Sequence, residues 1–159
     1  MPETGSSIAL IPVSFFDPDS AREALARTAE LKEDEEVEYI SMPEYSAVLV
    51  YSFSASREGE KKPPEIYHLL KSLQEIKEYN KIVASYDGSY LHLAIAQGGN
   101  LLLANVFKAA DFTTAEYFLF MAVKKLQMNP EVSSVFFRTP LTEGEEMSLY
   151  RYFKSVEKL

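Results

Sequence analysis

The stretch KIVASYDGSYLHLAIAQGGNLLLANVFK, residues 81–108, decides the fold of this chain. It contains three apolar runs of strand length, at residues 81–86, 90–97 and 101–108. Asp-Gly separates the first two runs, and Gly-Gly-Asn separates the last two. Such turn residues between alternating apolar residues are among the strongest hairpin signals in a sequence. The stretch therefore predicts a meander of three antiparallel strands.

The sequence after the meander predicts a helix, a strand and a second helix. The capping-box pattern, Thr followed three residues later by Glu, occurs at Thr113 and again at Thr142. The first predicts a helix that ends at about Met128, and the second predicts a final helix that continues to the C-terminus. Between them, the run VSSVFFR at residues 132–138 predicts a strand.

The sequence before the meander predicts a strand, a helix and a hairpin. Residues 8–16 form an apolar run and predict a strand, in which a proline indicates an edge position or a bulge. Asp17, followed by a proline, predicts the start of a helix that extends to about Leu31. Residues 37–42 and 45–53 predict two strands joined by a tight hairpin.

A charged segment without apolar periodicity, SASREGEKKPP at residues 54–64, predicts a loop more clearly than any other segment and marks a boundary between two lobes. We predict a partial first lobe at residues 1–58, a linker at residues 59–65 and a second lobe at residues 66–159. Apolar residues at helical spacing predict a helix over residues 68–79. The three residues before it are either helical or extended.

The composition excludes several classes of function. The chain has no cysteine, which excludes disulfides, a thiolate nucleophile and Cys-ligated metals. Its formal net charge of −8 opposes binding to nucleic acids and to anionic membranes. The N-terminus lacks the pattern of a signal peptide, and the apolar runs fall short of the roughly 20 residues that span a bilayer. We therefore expect a soluble, cytoplasmic protein with neither nucleic acid nor membrane as partner.

Few side chains point to catalysis. His68 and His92 lack a partner at metal-ligand spacing, which favours structural or surface roles over a metal site or a general base. The acidic clusters at residues 33–36 and 143–146 lack the spacing of a calcium loop and indicate solvated faces. Gly98-Gly99 precedes a strand, whereas a phosphate loop precedes a helix, so it indicates a hairpin turn. The residues thus predict neither a catalytic nor a metal site.

The order of elements from residue 81 onward resembles one lobe of the actin-like ATPase, or RNase H-like, fold. More specifically, the chain resembles an uncharacterised bacterial family of unknown function with this fold. The segments that carry the resemblance are LIPVSFFD at 10–17, residues 101–131 and LYRYFKSV at 149–156. It implies an α/β lobe with a mixed sheet flanked by helices, preceded by a partial second lobe. The most specific residues are Asn105, Phe107, Tyr117, Phe118 and Leu126.

The resemblance also implies a second interpretation of Asp87-Gly88-Ser89. In actin-like nucleotide-binding proteins, one lobe opens with a hairpin whose Asp-Gly turn faces the phosphates. By this analogy the three residues would bind Mg-ATP, with Asp87 holding magnesium-bound water and Ser89 contacting phosphate. The simpler interpretation is a type I′ hairpin turn, which this dipeptide favours in any case.

Two departures from the actin-like pattern weaken the nucleotide interpretation. The resemblance implies a strand-rich lead-in that supplies a first phosphate-facing hairpin, and this chain begins without it. Active relatives hold adenosine at a Gly-Gly turn after the late strand. Here that place reads Phe136-Phe137-Arg138-Thr139-Pro140, and bulky or ring-locked residues cannot replace glycines needed for close approach.

The leading hypothesis is therefore a non-catalytic interaction or structural module on a degenerate actin-like fold. Its expected partner is a protein, either a second copy of itself or a chain that covers exposed sheet edges and apolar faces. The alternative is an ATPase or kinase-like enzyme that uses the Asp87-Gly88-Ser89 turn. A small-ligand pocket between the lobes, lined by tyrosines, is a third hypothesis.

Overall fold

The computed structural model describes residues 8–27, 35–54 and 63–159. The chain forms two compact units, Met1–Pro64 and Glu65–Leu159. Most of the predicted linker at residues 59–65 lies outside the described residues. The predicted limits of the two lobes therefore stay predictions.

The first unit contains a three-stranded antiparallel sheet in the order β1-β3-β2. The strands are β1 (Ile8–Pro12), β2 (Glu35–Met42) and β3 (Ala47–Ser54). Strand β3 lies at the centre because residues 48–51 are apolar on both faces of the sheet, and all four are buried. Helix α1 (Ala21–Ala26) packs on one face. The small core there consists of Ala21, Leu25, Val48 and Val50.

The first strand is shorter than predicted. The run at residues 8–16 was expected to be one strand, but β1 ends at Pro12 and a 3₁₀ turn, Val13–Phe15, follows. Proline has no N–H and occupies edge or terminal positions of strands, which accounts for the end of β1. The Val13 N–H instead donates to the carbonyl of Ser46 at 2.9 Å.

The predicted capping role of Asp17 is confirmed, but the helix does not start directly after it. Asp17 Oδ1 accepts the N–H of Asp19 at 3.0 Å, and a 3₁₀ turn, Pro18–Ser20, precedes α1. Tighter 3₁₀ turns are frequent at helix ends. Helix α1 ends at Ala26, with Arg27 as its C-cap, and residues 28–31 of the predicted helix lie outside the described residues.

The second unit contains a five-stranded mixed sheet in the order β6-β5-β4-β7-β8. Strands β6, β5 and β4 are antiparallel neighbours, which confirms the predicted meander. Strands β4, β7 and β8 are parallel neighbours. The predicted α/β class with a mixed sheet flanked by helices is confirmed. The bounds are β4 (Asn80–Tyr86), β5 (Tyr90–Gln97), β6 (Asn100–Lys108), β7 (Ser134–Phe137) and β8 (Ser155–Lys158).

Three helices cover the two faces of this sheet: α2 (Glu65–Leu73), α3 (Phe112–Lys125) and α4 (Glu143–Tyr150). Helices α3 and α4 share the main core with one face, and α2 packs on the other face against β4 and β5. Successive side chains of a strand point to opposite faces, so alternate residues of β4 and β5 belong to each core. The core between these two helices and the sheet includes Ile82, Leu91, Leu93, Ile95, Leu119, Phe137, Leu149 and Phe153.

Helix α2 differs from the predicted helix over residues 68–79 at both ends. It begins at Glu65, directly after Pro64, where an acidic residue in the first turn suits the positive end of the helix dipole. It ends at Leu73. The next N–H groups, from residue 74 to residue 76, each donate to a carbonyl three residues earlier, which tightens the chain into a turn before β4.

The predicted cap of α3 was wrong by two residues. Asp111, not Thr113, is the N-cap, and its Oδ1 accepts the N–H of Thr114 at 2.8 Å. That bond lowers the pKa of the Asp111 carboxyl because it favours the charged form. By contrast, the capping box at Thr142 is confirmed, since Thr142 and Glu145 each accept the backbone N–H of the other.

The prediction that the last helix continues to the C-terminus was wrong. Helix α4 ends at Tyr150, and strand β8 pairs in parallel with β7. The N–H groups of Tyr152 and Phe153 both donate to the carbonyl of Leu149, so the chain turns there. Burial of Phe153, whose ring lies 5.5 Å from that of Phe120, holds the turn against the core.

Capping predicts different costs for two equivalent substitutions. Thr142→Ala removes a side-chain cap and should lower the free energy of unfolding by about 1 kcal/mol. The matched control Thr113→Ala changes an exposed residue inside α3 and should change it by less than about 0.5 kcal/mol. Urea denaturation of both variants measures the difference, and equal losses would contradict the assignment of the caps.

Candidate functional site

The candidate site lies where β4 ends, at the turn Asp87-Gly88-Ser89 between β4 and β5. Strand β7 is parallel to β4 and ends at the same edge of the sheet, followed by Arg138 and Thr139. The carboxyl ends of parallel strands are where α/β sheets usually bind ligands. The structure therefore brings the predicted turn and the segment after the late strand to one edge of the second unit.

The carboxylate of Asp87 binds the backbone of its own turn. Its Oδ1 accepts the N–H groups of Ser89 at 2.9 Å and of Tyr90 at 2.8 Å. The Asp87 N–H donates to the carbonyl of Tyr90 at 3.3 Å, which closes the hairpin. The N–H groups of Ser89 and Tyr90 thus both donate to an acceptor within the same turn, the carboxylate of Asp87.

The turn is not of the predicted type I′, which requires positive φ at both central residues. Within this turn only Gly88 has a positive φ, at 95°, and Ser89 does not. The Tyr90 N–H, which in a two-residue hairpin turn would donate to the Asp87 carbonyl, donates to the Asp87 carboxylate instead. Glycine is favoured at position 88 because of this positive φ. Lack of space is not the reason, because a Cβ at this position would meet open space.

The structure places His92 against Asp87. His92 faces Ser85 across the β4–β5 ladder, on the sheet face that α2 covers. Its side chain is only 9% exposed, and its Nε2 lies 3.8 Å from Asp87 Oδ2. Its Nδ1 is buried and has no hydrogen-bond partner among the described residues. Burial lowers the pKa of the imidazole, and the charges of Asp87 and Glu65 oppose this shift only in part.

The segment after β7 is tied to β4 and to α2. The Arg138 N–H donates to the carbonyl of Ala84 at 2.9 Å, and Thr139 Oγ1 accepts the Tyr86 N–H at 3.0 Å. The Arg138 guanidinium forms an ion pair with Glu65 at the start of α2. These contacts hold the segment closed where the resemblance implied a glycine turn open to adenosine.

Tyr86 completes the edge and stays a hydrogen-bond donor. Its hydroxyl donates to the carbonyl of Ala109 at 2.8 Å. Burial raises the pKa of its phenol, and the nearby charges of Asp111, Asp87 and Glu145 raise it further. The protonated phenol therefore fixes the loop that leads from β6 into α3.

The arrangement contains an acid–imidazole pair in which the imidazole of His92 is buried and the carboxylate of Asp87 is 30% exposed. The imidazole lies beneath α2, and the hydroxyl directly across the ladder, on Ser85, is also buried, at 2% exposure. A general base must come within hydrogen-bond reach of the proton that it takes. The site as built stabilises the end of the β4–β5 hairpin.

Asp87, Gly88 and Ser89 lie in the turn between β4 and β5, and sequence analysis missed the pairing of Asp87 with His92. The hairpin register contains the signal, because in a strand residues two apart share a face. Ser85 pairs with His92, so their side chains lie on the same face of the sheet. Asp87 follows Ser85 by two residues and therefore shares that face with His92. The ion pair of Glu65 with Arg138, 73 residues apart, had no local signal.

No group of three or more His, Cys, Asp or Glu side chains that would hold a metal ion occurs in residues 8–27, 35–54 and 63–159. Within the same ranges, every helix is too short or too polar to cross a membrane.

Comparison with known proteins identifies the family and the fold. The model of the family described as "Protein of unknown function (DUF3822)" matches residues 4–156, so the chain belongs to that family. The chain is similar to a solved Bacteroides thetaiotaomicron protein described as having an actin-like ATPase fold and unknown function. The TM-score is 0.78 at 21% identity, over 96% of this chain and 65% of that one. The predicted actin-like fold and the unknown-function family are confirmed.

A second solved structure shares the fold more distantly. It is the PilM–PilN type IV pilus biogenesis complex, with a TM-score of 0.53 and 11% identity, over 97% of this chain and 65% of that one. The chain thus spans about two thirds of the length of each of the two matched chains. A search of curated proteins found no match.

The geometry of the turn predicts how Asp87 stabilises it. Asp87→Ala removes the acceptor of two N–H groups and should lower the free energy of unfolding by about 1–3 kcal/mol. Asp87→Asn keeps a side-chain oxygen in the same place and should lose less than half of that amount. Urea denaturation distinguishes the two variants, and an equal loss in both would contradict the proposed role of Oδ1.

The environment of His92 predicts a pH dependence. Because folding lowers the pKa of His92, the unfolded chain binds more protons than the folded one between the two pKa values. The stability that results is present above the unfolded pKa of about 6.5 and is lost as the pH falls through the folded pKa. In urea denaturation from neutral to mildly acidic pH, His92→Gln should lose stability less steeply than the wild type.

The control for this experiment is the other histidine. His68→Gln makes the same change in α2 and retains His92, so the decrease should remain. An unchanged slope in His92→Gln would show that His92 does not titrate as described.

Proposed function

We propose that this member of the DUF3822 family is a non-catalytic protein-interaction module built on the actin-like ATPase fold. The observation that carries the proposal is the contact of Asp87 Oδ1 with the N–H groups of Ser89 and Tyr90. In a phosphate-binding hairpin such N–H groups are the donors to the anion. Here a carboxylate of the same turn accepts them, which supports a structural role for the turn.

The fit to Mg-ATP is poor at a second place as well. Phe137 is buried in the core, and Arg138 and Thr139 are bonded to α2 and β4. Base and ribose need close approach to a backbone without side chains, as glycines provide. Rebuilding this edge for a nucleotide would require breaking the Arg138–Glu65 ion pair and the bond from Tyr86 to Thr139.

Charge and similarity favour a protein as the partner. The net charge of −8 opposes phosphate backbones and anionic lipid, but leaves protein surfaces open as partners. The similar structure with PilM is itself a complex with a second protein, PilN. That assembly belongs to PilM, and it supports the idea that a fold of this kind can serve protein binding.

The competing hypothesis, an ATPase or kinase-like enzyme using Asp87, Gly88 and Ser89, is tested by ligand-dependent stability. A ligand at about 100 times its Kd adds roughly 2.7 kcal/mol to the stability of the folded state. We expect no change in melting temperature with millimolar Mg-ATP, measured by thermal shift.

The control is Mg²⁺ with sulfate at equal ionic strength, which separates nucleotide binding from a general salt effect. A rise with Mg-ATP that Asp87→Asn abolishes would overturn the proposed function and establish nucleotide binding at this turn.

A further inference from the structure

The outer surface of α3 and α4 exposes more apolar side chains than the packing of the helices requires. Tyr117 and Met121, one turn apart on α3, are 56% and 50% exposed. We call this surface the α3/α4 face. Its exposed apolar members are Tyr117, Met121, Met147, Tyr150 and Tyr152.

The two helices form one continuous surface because they pack side by side. Ser148 Oγ donates to Glu116 Oε1 at 3.0 Å, and the rings of Phe120 and Tyr152 are 4.5 Å apart. Residues 148 and 152 thus follow residues 116 and 120 in the same direction. The topology agrees, because β6, β7 and β8 are mutually parallel and each helix runs back between two of them.

The charges of this face are divided between its two ends. Because α3 and α4 run in the same direction, their N-termini lie at one end of the face, and α3 alone extends to the other end. The acidic end contains Asp111, Glu143 and Glu146, and the basic end contains Lys124 and Lys125. The middle contains the exposed apolar side chains, with Arg151 beside them.

Helix dipoles account for the charges but not for the apolar middle. Acidic residues at helix N-termini and basic residues at C-termini are stabilising in an isolated protein. Tyrosine and methionine exposed by half are enriched instead in the centres of protein interfaces. A surface with one acidic end, an apolar middle and one basic end is complementary to itself when a second copy is turned by 180°.

We propose that the α3/α4 face binds the same face of a second copy of this chain about a two-fold axis. The acidic end of each copy lies on the basic end of the other, and Tyr117, Met121 and Tyr152 meet at the centre. Such an isologous contact closes on itself and stops at a dimer. The inference deepens the proposed function, on which it rests, by naming the partner.

The first test is the mass in solution, measured by size-exclusion chromatography with light scattering. We expect twice the 18.0 kDa of the chain. Met121→Glu places two like charges, one from each copy, at the dry centre of the interface and should raise the dimer Kd at least about tenfold. A monomer at every concentration would overturn the proposal, as would a dimer that Met121→Glu leaves intact.

The matched control is Val13→Glu, which adds the same charge at an apolar side chain of the first unit that is 58% exposed. It should leave the mass unchanged. Thermal unfolding of each variant checks that the change of mass does not come from loss of the fold, since both residues are exposed.

The second test uses the division of charge. Lys124→Glu with Lys125→Glu makes both ends of one variant acidic, and Glu143→Lys with Glu146→Lys makes both ends of the other basic. Each variant alone should be a monomer at low salt, and an equimolar mixture should form a one-to-one heterodimer. A mixture that stays monomeric, or variants that each remain dimers, would overturn the charge pairing on which the proposal rests.

These outcomes are independent of the nucleotide test. A monomer that also fails to bind Mg-ATP would overturn the dimer and leave the interaction module with a partner of different sequence. A dimer stabilised by Mg-ATP would overturn the proposed function and leave the dimer.

Discussion

The double pairing of β4 is the constraint on which the second unit depends. One edge of β4 pairs antiparallel with β5 and the other pairs parallel with β7. Its residues are buried on both faces, with Val83 toward α2 and Ile82 and Ala84 toward α3 and α4. A strand so enclosed cannot shift by one residue without moving every side chain to the wrong face. It therefore fixes where the Asp87 turn and the segment after β7 meet.

The N–H donors of the Asp87 turn stabilise the fold, because their acceptor is a side chain of the same turn. The carboxylate accepts two N–H groups that would otherwise face outward, and it lies beside the buried imidazole of His92. Most buried polar groups in proteins are paired, because an unpaired one costs free energy. Here the pairing is internal to the hairpin, which distinguishes this edge from one preorganised for an anion.

The parts of the fold that depend on local pattern were predictable. The meander, the strand pair β2–β3, the Asp17 cap and the Thr142 capping box each have a signal within a few residues. The parts that depend on distant contacts were not. Strand β8, with the short and charged sequence SVEK, becomes a strand only because β7 offers a parallel edge. The capping pattern is present at Thr113, but the side chain of Asp111 caps the helix instead.

The same distinction between local and distant signals applies to the residues of the candidate site. The sequence predicted the Asp87-Gly88-Ser89 turn, because Asp-Gly is a local signal. The residues that meet at this edge lie on α2, β4, β5 and the segment after β7. Neither the Glu65–Arg138 pair nor the burial of His92 beneath α2 has a local signal. The register of the β4–β5 hairpin was the one means of placing His92 beside Asp87 in advance.

The parallel pairing of β4 with β7 also has a consequence for the order of folding. Within the meander, contacts close short loops, as with Tyr86 and Leu91, whereas the contact of Tyr86 with Thr139 spans 53 residues. Loop-closure entropy must be overcome before a distant pairing brings any gain, which makes such pairings slow. We therefore expect the antiparallel half of the sheet to form first. Until β7 pairs with β4, the second edge of β4 is an unpaired apolar edge to which a strand of another chain can bind.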